Sequence, residues 1–201
     1  EAVVDDPSVD IVVEVMGGLE PARSLILRAI AAGKPVVTAN KAVIARYGEE
    51  IAAAAAQKGV YVLIEAAVGG GIPIIEPLKQ SLGGNRIQKV SGIINGTTNY
   101  ILSRMADEGV AYGAVLADAQ QLGYAEADPA ADVEGGDAAD KIAILSALAY
   151  GGSVPRGAIP TEGINTLDAR DVAYAAQLGY VVKLLAVAQH LGTAADGAAQ
   201  L

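Results

Sequence analysis

Three short apolar runs separated by helix-length segments constrain this chain more than anything else in it. "VDIVVEV" (9–15), "KPVVTAN" (34–40) and "VYVLIEAAV" (60–68) are rich in the β-branched residues of buried strands. Between them lie "PARSLILRAIAAG" (21–33) and "AVIARYGEEIAAAAAQKG" (42–59). The first has Pro21 near its start, Leu25, Ile26, Ala29 and Ile30 on one face, and Gly33 as its stop; the second closes at Gly59. Strands joined by helices of this length form right-handed βαβ units in a parallel sheet. The fold class expected is α/β.

After Val68 the rhythm changes. "GGGIPIIEPL" is a Gly-rich turn leading to a helix that ends near Leu82. "NRIQKVSGIIN" (85–95) reads as a strand, and "GTTNYILSRMADEG" (96–109) as a helix that Thr97 or Thr98 can cap. Further helices are expected over 111–123, 136–152 and 167–179, while "YVVKLLAVAQHL" (180–191) fits a strand or a helix. Two regions follow: an α/β layer over residues 1–66 and an α+β region over 67–201.

Composition removes several function classes. The net charge is −9, with 23 acidic and 14 basic residues and no run of Lys or Arg, so no patch is available to neutralise phosphates. No nucleic-acid partner and no anionic-membrane partner are expected. No apolar run reaches about 18 residues, the length a membrane-spanning helix needs. The absence of Cys excludes disulfides and thiol catalysis and suits a cytoplasmic protein. His190 is the one histidine and reads as structural.

Four stretches carry candidate chemistry. "VMGG" places Gly17 and Gly18 just past a strand end, where open α/β sheets bind ligands; it is equally consistent with a plain turn. "TANKA" brings Thr38, Asn40 and Lys41 to the same edge, with hydrogen-bonding groups for a ribose or an amide and one cation. "EAAVGGGIP" combines Glu65 with backbone carbonyls suited to a hard cation, or is a hinge. "GYAEADPAADVEGGDAADK" (123–141) holds six carboxylates and one lysine. In it, Asp137 and Lys141 stand four residues apart on one helical face, beside Ile142, Leu145 and Leu148. A divalent-metal cluster of Glu126, Asp128, Asp132 and Asp137 competes with that reading, without regular ligand spacing.

Together these stretches resemble homoserine dehydrogenases. The spaced set Ala119, Gly123-Tyr124-Ala125, Asp128-Pro129, Asp132-Val133, Gly135, Asp137 and Lys141 matches the family's signature, and "GGLEPA", "TANKA", "EAAVGGGIP" and "NGTTNYIL" follow its other landmarks in order. The likeness runs from about Val9 to His190. It implies the C-terminal part of a Rossmann-type parallel-sheet domain followed by an α+β catalytic and dimerisation domain. It also implies reversible oxidation of L-homoserine to L-aspartate 4-semialdehyde with NAD or NADP. By the same resemblance Lys141 and Lys41 are the catalytic pair, and Glu126 and Asp137, with Gly123 and Tyr124, bind the substrate. Gly17, Gly18, Thr38, Asn40 and Lys41 face the cofactor, and Glu65 with the carbonyls of Val68, Gly70 and Ile72 holds a monovalent cation, sodium or potassium. A homodimer or higher homo-oligomer is implied as well. The reading from another class is a non-catalytic amino-acid-binding or interaction module on the same fold.

The sequence departs from the family in one respect: it has no G-x-G-x-x-G turn to hold a pyrophosphate at a helix N-terminus. An internal fragment is therefore expected, lacking that turn and the C-terminal segment. A half-sheet of this kind should leave an edge and apolar side chains uncovered.

Overall fold

The computed structural model describes residues 2–191 and the backbone of 199–200; residues 192–198 and 201, at the end of the expected second region, lie outside the described residues. A short helix α1 (Ala2–Asp5) precedes β1 (Val12–Glu14), α2 (Ala22–Ala31), β2 (Val36–Thr38), α3 (Lys41–Lys58) and β3 (Val62–Leu63). The three strands are parallel, in the order β1-β2-β3, with Val12 opposite Val36 and Val36 opposite Val62. This is the βαβαβ layer expected from the strand spacing.

Each helix of the layer turns its apolar stripe inward. Ala22, Ile26, Ala29 and Ile30 of α2 and Val43, Ile44, Ile51 and Ala55 of α3 are buried. Alternation along β1 buries Val12 and Glu14 and leaves Val13 exposed. Val13 and Leu63 flank half-buried Val37 in one row across the sheet, and both are exposed, as are Ile11 and Val15. Parallel sheets normally have both faces covered; here the uncovered apolar face matches the expectation for a half-sheet.

Beyond β3 come a 3-10 turn (Glu65–Ala67), a π-helical turn (Pro77–Ser81), β4 (Lys89–Gly92), α4 (Gly96–Glu108), α5 (Tyr112–Gln121), α6 (Ala130–Val133) and α7 (Gly136–Tyr150). A 3-10 turn (Arg156–Ala158), α8 (Ala169–Gln177), β5 (Ala186–His190) and β6 (Ala199–Gln200) complete the chain. β4, β5 and β6 form an antiparallel sheet in that order.

Several expectations need correction. The strands are shorter than their apolar runs, because residues 60–68 and 85–95 turn away from the ladder after two and four residues. The helix expected up to Leu82 is present over 75–81 but short, and its last five residues, Pro77–Ser81, are π-helical. The cap of α4 is Asn95, whose side chain accepts from Thr98 N at 2.8 Å, and not Thr97 or Thr98. The segment 180–191, ambiguous in sequence, becomes strand only at 186–190, where the antiparallel partner β4 is available. His190 packs near the Tyr150 ring, with centroids 6.0 Å apart, as a structural residue would.

One apolar core runs from the parallel layer into the second region. Ile26, Val36 and Ile51 share it with Ala67, Val68 and Ile75, and with Ile142, Leu145 and Ala188. A second core under α4, α5 and α8 contains Ile101, Leu102, Met105, Val115 and Val172. Helix α7 is buried along most of its length, Asp137 and Asp140 included, and it packs directly on α3. That contact sets the loop after β2 against the acidic stretch.

Candidate active site

At the carboxyl ends of β1 and β2 a chain of polar contacts locks two loops together. Glu14, buried as the last residue of β1, accepts from the Thr38 hydroxyl at 2.6 Å and from Met16 N at 2.8 Å. Thr38 Oγ1 in turn accepts from Asn40 N at 2.9 Å. Asn40 caps α3 by accepting from Val43 N at 3.2 Å, and its Nδ2 donates to Gly18 O at 2.8 Å. The Gly17–Gly18 turn is thereby tied to the start of α3. Both glycines have positive φ, 76° and 72°, and a Cβ on either would meet nothing within 4 Å. The space in front of them is a cleft of about 230 Å³, lined by Val15, Gly17, Gly18, Ala39, Asn40 and Lys41. Four of the five expected cofactor residues are gathered there. Thr38 is placed differently: it is 1% exposed, and its hydroxyl joins Glu14 to Asn40.

Facing the cleft is the first turn of α7. Gly135 precedes it in the left-handed conformation, φ 84°, where a Cβ would sit 2.9 Å from Thr161 Cγ2. The chain enters α7 there with no side chain in the way, and Asp137 follows in the first turn. The Asp137 carboxylate collects three donors: Lys41 Nζ on Oδ1 at 2.9 Å, Lys141 Nζ on Oδ2 at 2.7 Å, and Asn95 Nδ2 on Oδ2 at 2.9 Å. Lys141 also donates to Ile94 O at 2.7 Å, and Asn95 Nδ2 reaches Asp132 Oδ1 at 2.7 Å. The two lysines thus come from opposite halves of the chain to one buried carboxylate.

Burial works to raise the Asp137 pKa, but the hydrogen bonds from Lys141, Asn95 and Lys41 outweigh it and hold the carboxyl below its ordinary value. For Lys41, partial burial favours the neutral amine; the bond to Asp137 and the nearby charges of Asp132 and Asp140 prevail and raise its pKa. Lys41 is also the more accessible lysine, with a side chain 41% exposed against 17% for Lys141. It is the one free to change partners.

The rest of the expected substrate set lies apart from this cluster. Gly123 ends α5 with φ 77°. Tyr124 accepts through its carbonyl from Thr97 Oγ1 at 2.8 Å and packs its ring against Tyr100 at 4.9 Å. Glu126 is exposed, its carbonyl accepting from Gln120 Nε2 at 3.1 Å; no hydrogen bond joins its carboxylate to Asp137. Among the described residues no three His, Cys, Asp or Glu side chains form a metal-binding group, so the acidic stretch does not build the competing divalent site. Glu65 directs its carboxylate onto the amides of Ile74, Ile75 and Glu76, at 2.8, 3.1 and 2.8 Å. This closes the turn that contains Val68, Gly70 and Ile72.

Sequence reasoning does not reach Asn95 or Glu14 as site residues, and it reaches Asp132 only in the family signature and the competing metal cluster. Asn95 had a signal, because Asn ranks with Ser and Asp at helix N-caps and precedes Gly-Thr-Thr here. Glu14 had one too, being a carboxylate flanked by Val13 and Val15 in a strand expected to be buried.

Two family models divide the chain between them: "Homoserine dehydrogenase, NAD binding domain" over residues 1–65 and "Homoserine dehydrogenase" over residues 73–199. The chain belongs to the homoserine dehydrogenase family. A homoserine dehydrogenase of Synechocystis sp. is 70% identical over 188 residues, covering 94% of this chain and 43% of that protein. The crystal structure of a homoserine dehydrogenase from Thiobacillus denitrificans superposes with a TM-score of 0.92 at 58% identity, over 94% of this chain and 44% of that one. A hyperthermophilic archaeal homoserine dehydrogenase in complex with NADPH matches with a TM-score of 0.79 at 29% identity, over 96% and 59% of the two chains. The chain spans less than half the length of the curated relatives cited. In family terms the parallel layer is the NAD-binding, Rossmann-like part, and α7 lies within the stretch matched by the second model.

Proposed function

We propose that this chain forms the substrate side and part of the cofactor side of an enzyme interconverting L-homoserine and L-aspartate 4-semialdehyde. The observation that carries the reading is the convergence of Lys41 and Lys141 on Asp137 beside the Gly17–Gly18 cleft. The close relatives' name supports the choice of substrate. No membrane-spanning helix occurs among the described residues; the reading is of a cytoplasmic protein.

The residues present suit the nicotinamide end of NAD or NADP: glycines with open space before them, an anchored Asn40 and one cation. When bound, the cofactor would supply the hydride acceptor for oxidation at the substrate's hydroxymethyl carbon. As the carbon loses hydride its hydroxyl must lose a proton, and a neutral lysine amine is the base within reach. In the reverse direction the ammonium returns the proton to the carbonyl oxygen. Lys141, fixed by Ile94 O and Asp137, suits the stationary role of stabilising alkoxide charge. Lys41, more exposed, suits proton exchange. Asp137 receives the substrate ammonium by charge-assisted hydrogen bonds, and Glu126, with the backbone at Gly123 and Tyr124, closes on it from the loop after α5.

For the cation expected at Glu65, Val68, Gly70 and Ile72, the donors are three neutral carbonyls and a carboxylate already accepting three amides. That set fits a monovalent ion better than calcium, which draws on several carboxylates, or magnesium, which holds several waters in an octahedron. A division into a cofactor region over 1–66 and a catalytic region over 67–201 belongs to this proposal, supported by the separate family matches on either side of Val68. So does a homodimer, supported by exposed Tyr174, Leu178, Tyr180, Val181 and Leu185.

The test is homoserine-dependent reduction of NAD or NADP by the protein at its full natural length. Lys141→Met, with the fold intact by circular dichroism, should lower kcat by about a hundredfold or more. Retention of most activity would remove Lys141 from the mechanism. Homoserine binding by calorimetry with no turnover under any condition would favour the non-catalytic binding module instead.

A further inference from the structure

A second charged group lies one helical turn beyond the reacting cluster. Asp140, on α7 three residues after Asp137, is buried. Its Oδ1 accepts from Arg156 Nε at 2.6 Å, and both of its oxygens stand 3.1 Å from Arg46 Nη1. Arg46 belongs to α3, the helix that begins with Lys41, and it also donates to Ala42 O at 3.0 Å. Arg156 opens the 3-10 turn after α7, and its Nη2 reaches Gly136 O at 3.3 Å, beside Asp137. The same strand of chain runs on to Thr161–Gly163, where a Cβ on Gly163 would collide with Val133 O and lie 2.6 Å from Glu134 Cα. The distant helix α3 and the turn that follows α7 are thus both joined to α7 at one carboxylate beside the catalytic turn.

Two guanidiniums on one buried carboxylate are not there for net charge balance. Breaking such a pair on one side leaves buried charge uncompensated, so the geometry is held firmly. The Lys41–Asp137 pair, in contrast, is partly exposed and must open for substrate to enter. When it opens, Arg46–Asp140 is the polar tie left between α3 and α7.

We propose that Asp140, with Arg46 and Arg156, is a positioning residue that fixes α3 against α7 and so sets the approach of Lys41 to Asp137 and Lys141. The proposal rests on the reading of that cluster as the reaction site. Asp140 acts through other residues and touches no reacting atom. Its charge also faces Lys41, together with Asp137 and Asp132.

The experiment uses the protein at its full natural length and compares Asp140→Asn, Arg46→Met and the double variant. Asp140→Asn should lower kcat by tenfold or more, leave the KM for homoserine within about twofold, and move the lysine limb of the pH–rate profile to lower pH. The double variant should be no worse than Asp140→Asn alone, because both remove one contact. A drop in melting temperature with kcat and the pH limb unchanged would overturn the proposal, as would additive losses in the double variant. Should Asp140→Asn fail to fold, Arg46→Met alone decides: a kcat within twofold of the parent refutes the idea. Lys41→Met and Lys141→Met, assayed alongside, separate the two readings. If both stay active the reaction site itself is misassigned; if both are inactive while Asp140→Asn is unaffected, only the positioning role fails.

Discussion

Replacing Asn95 tests the polar cluster at its joint. The side chain is buried and makes four contacts: it accepts from Thr98 N and from Thr98 Oγ1, and donates to Asp132 and Asp137. Asn95→Ala removes the cap of α4, worth about 1 kcal/mol. It also removes two hydrogen bonds to carboxylates, worth about 1.5–3 kcal/mol each when buried. Asp132 is only half-buried and rehydrates, so its share falls below about 1 kcal/mol. The total expected is about 2.5–5 kcal/mol, or roughly 10 °C in Tm for a domain of this size. Asn95→Asp keeps the cap but turns the donor into an acceptor facing two carboxylates. The new carboxyl then has a raised pKa in the folded state, so the variant's stability is best at low pH and lost as pH rises through that value. The parent behaves oppositely: Asp137, held low, contributes stability above its unfolded pKa that is lost as pH falls through the folded one. Urea unfolding followed by circular dichroism from about pH 2 to 8 reads both curves. If Asn95→Asp tracks the parent at every pH while Asn95→Ala alone is destabilised, Asn95 is a cap and nothing more.

Gly135→Ala should destabilise by well over 1 kcal/mol in the same urea assay, since it adds both an unfavourable positive φ and a 2.9 Å clash with Thr161. Asn40→Ala should cost about 1 kcal/mol as a cap and, by releasing Gly18 O, raise the KM for the cofactor more than that for homoserine. Exchanging potassium or sodium for tetramethylammonium should lower activity of the full-length protein and leave Glu65→Gln indifferent; an ion effect of equal size in the variant removes Glu65 from the site. Because Asp137 raises the Lys41 pKa, homoserine oxidation should climb with pH above neutrality while semialdehyde reduction falls, as steady-state rates in each direction will show.

What the sequence made legible was periodic or local. The βαβαβ layer follows from apolar spacing, and Asp137 with Lys141 from their four-residue separation on a helix. The partnership of Lys41 with Asp137 does not, because only the packing of α3 on α7 brings them together. Strand ends were overestimated because an apolar run records burial, whereas a strand ends where its hydrogen-bonding neighbour ends. Glu14–Thr38 and Asn95–Asp137 escaped notice for the same reason: each is a contact between residues separated by tens of positions, and no spacing rule encodes it.

The shared apolar core has a thermodynamic consequence. Ile26 and Ile51 of the parallel layer lie in one cluster with Ile142 and Ala188 of the second region. Neither part can lose its packing without exposing the other's, so the two melt as one cooperative unit rather than in separate steps. Linkage then makes any ligand of the native state on one side protect the other side as well. Amide exchange at β5, which packs on α7 and lines no part of the glycine cleft, should therefore slow on cofactor binding.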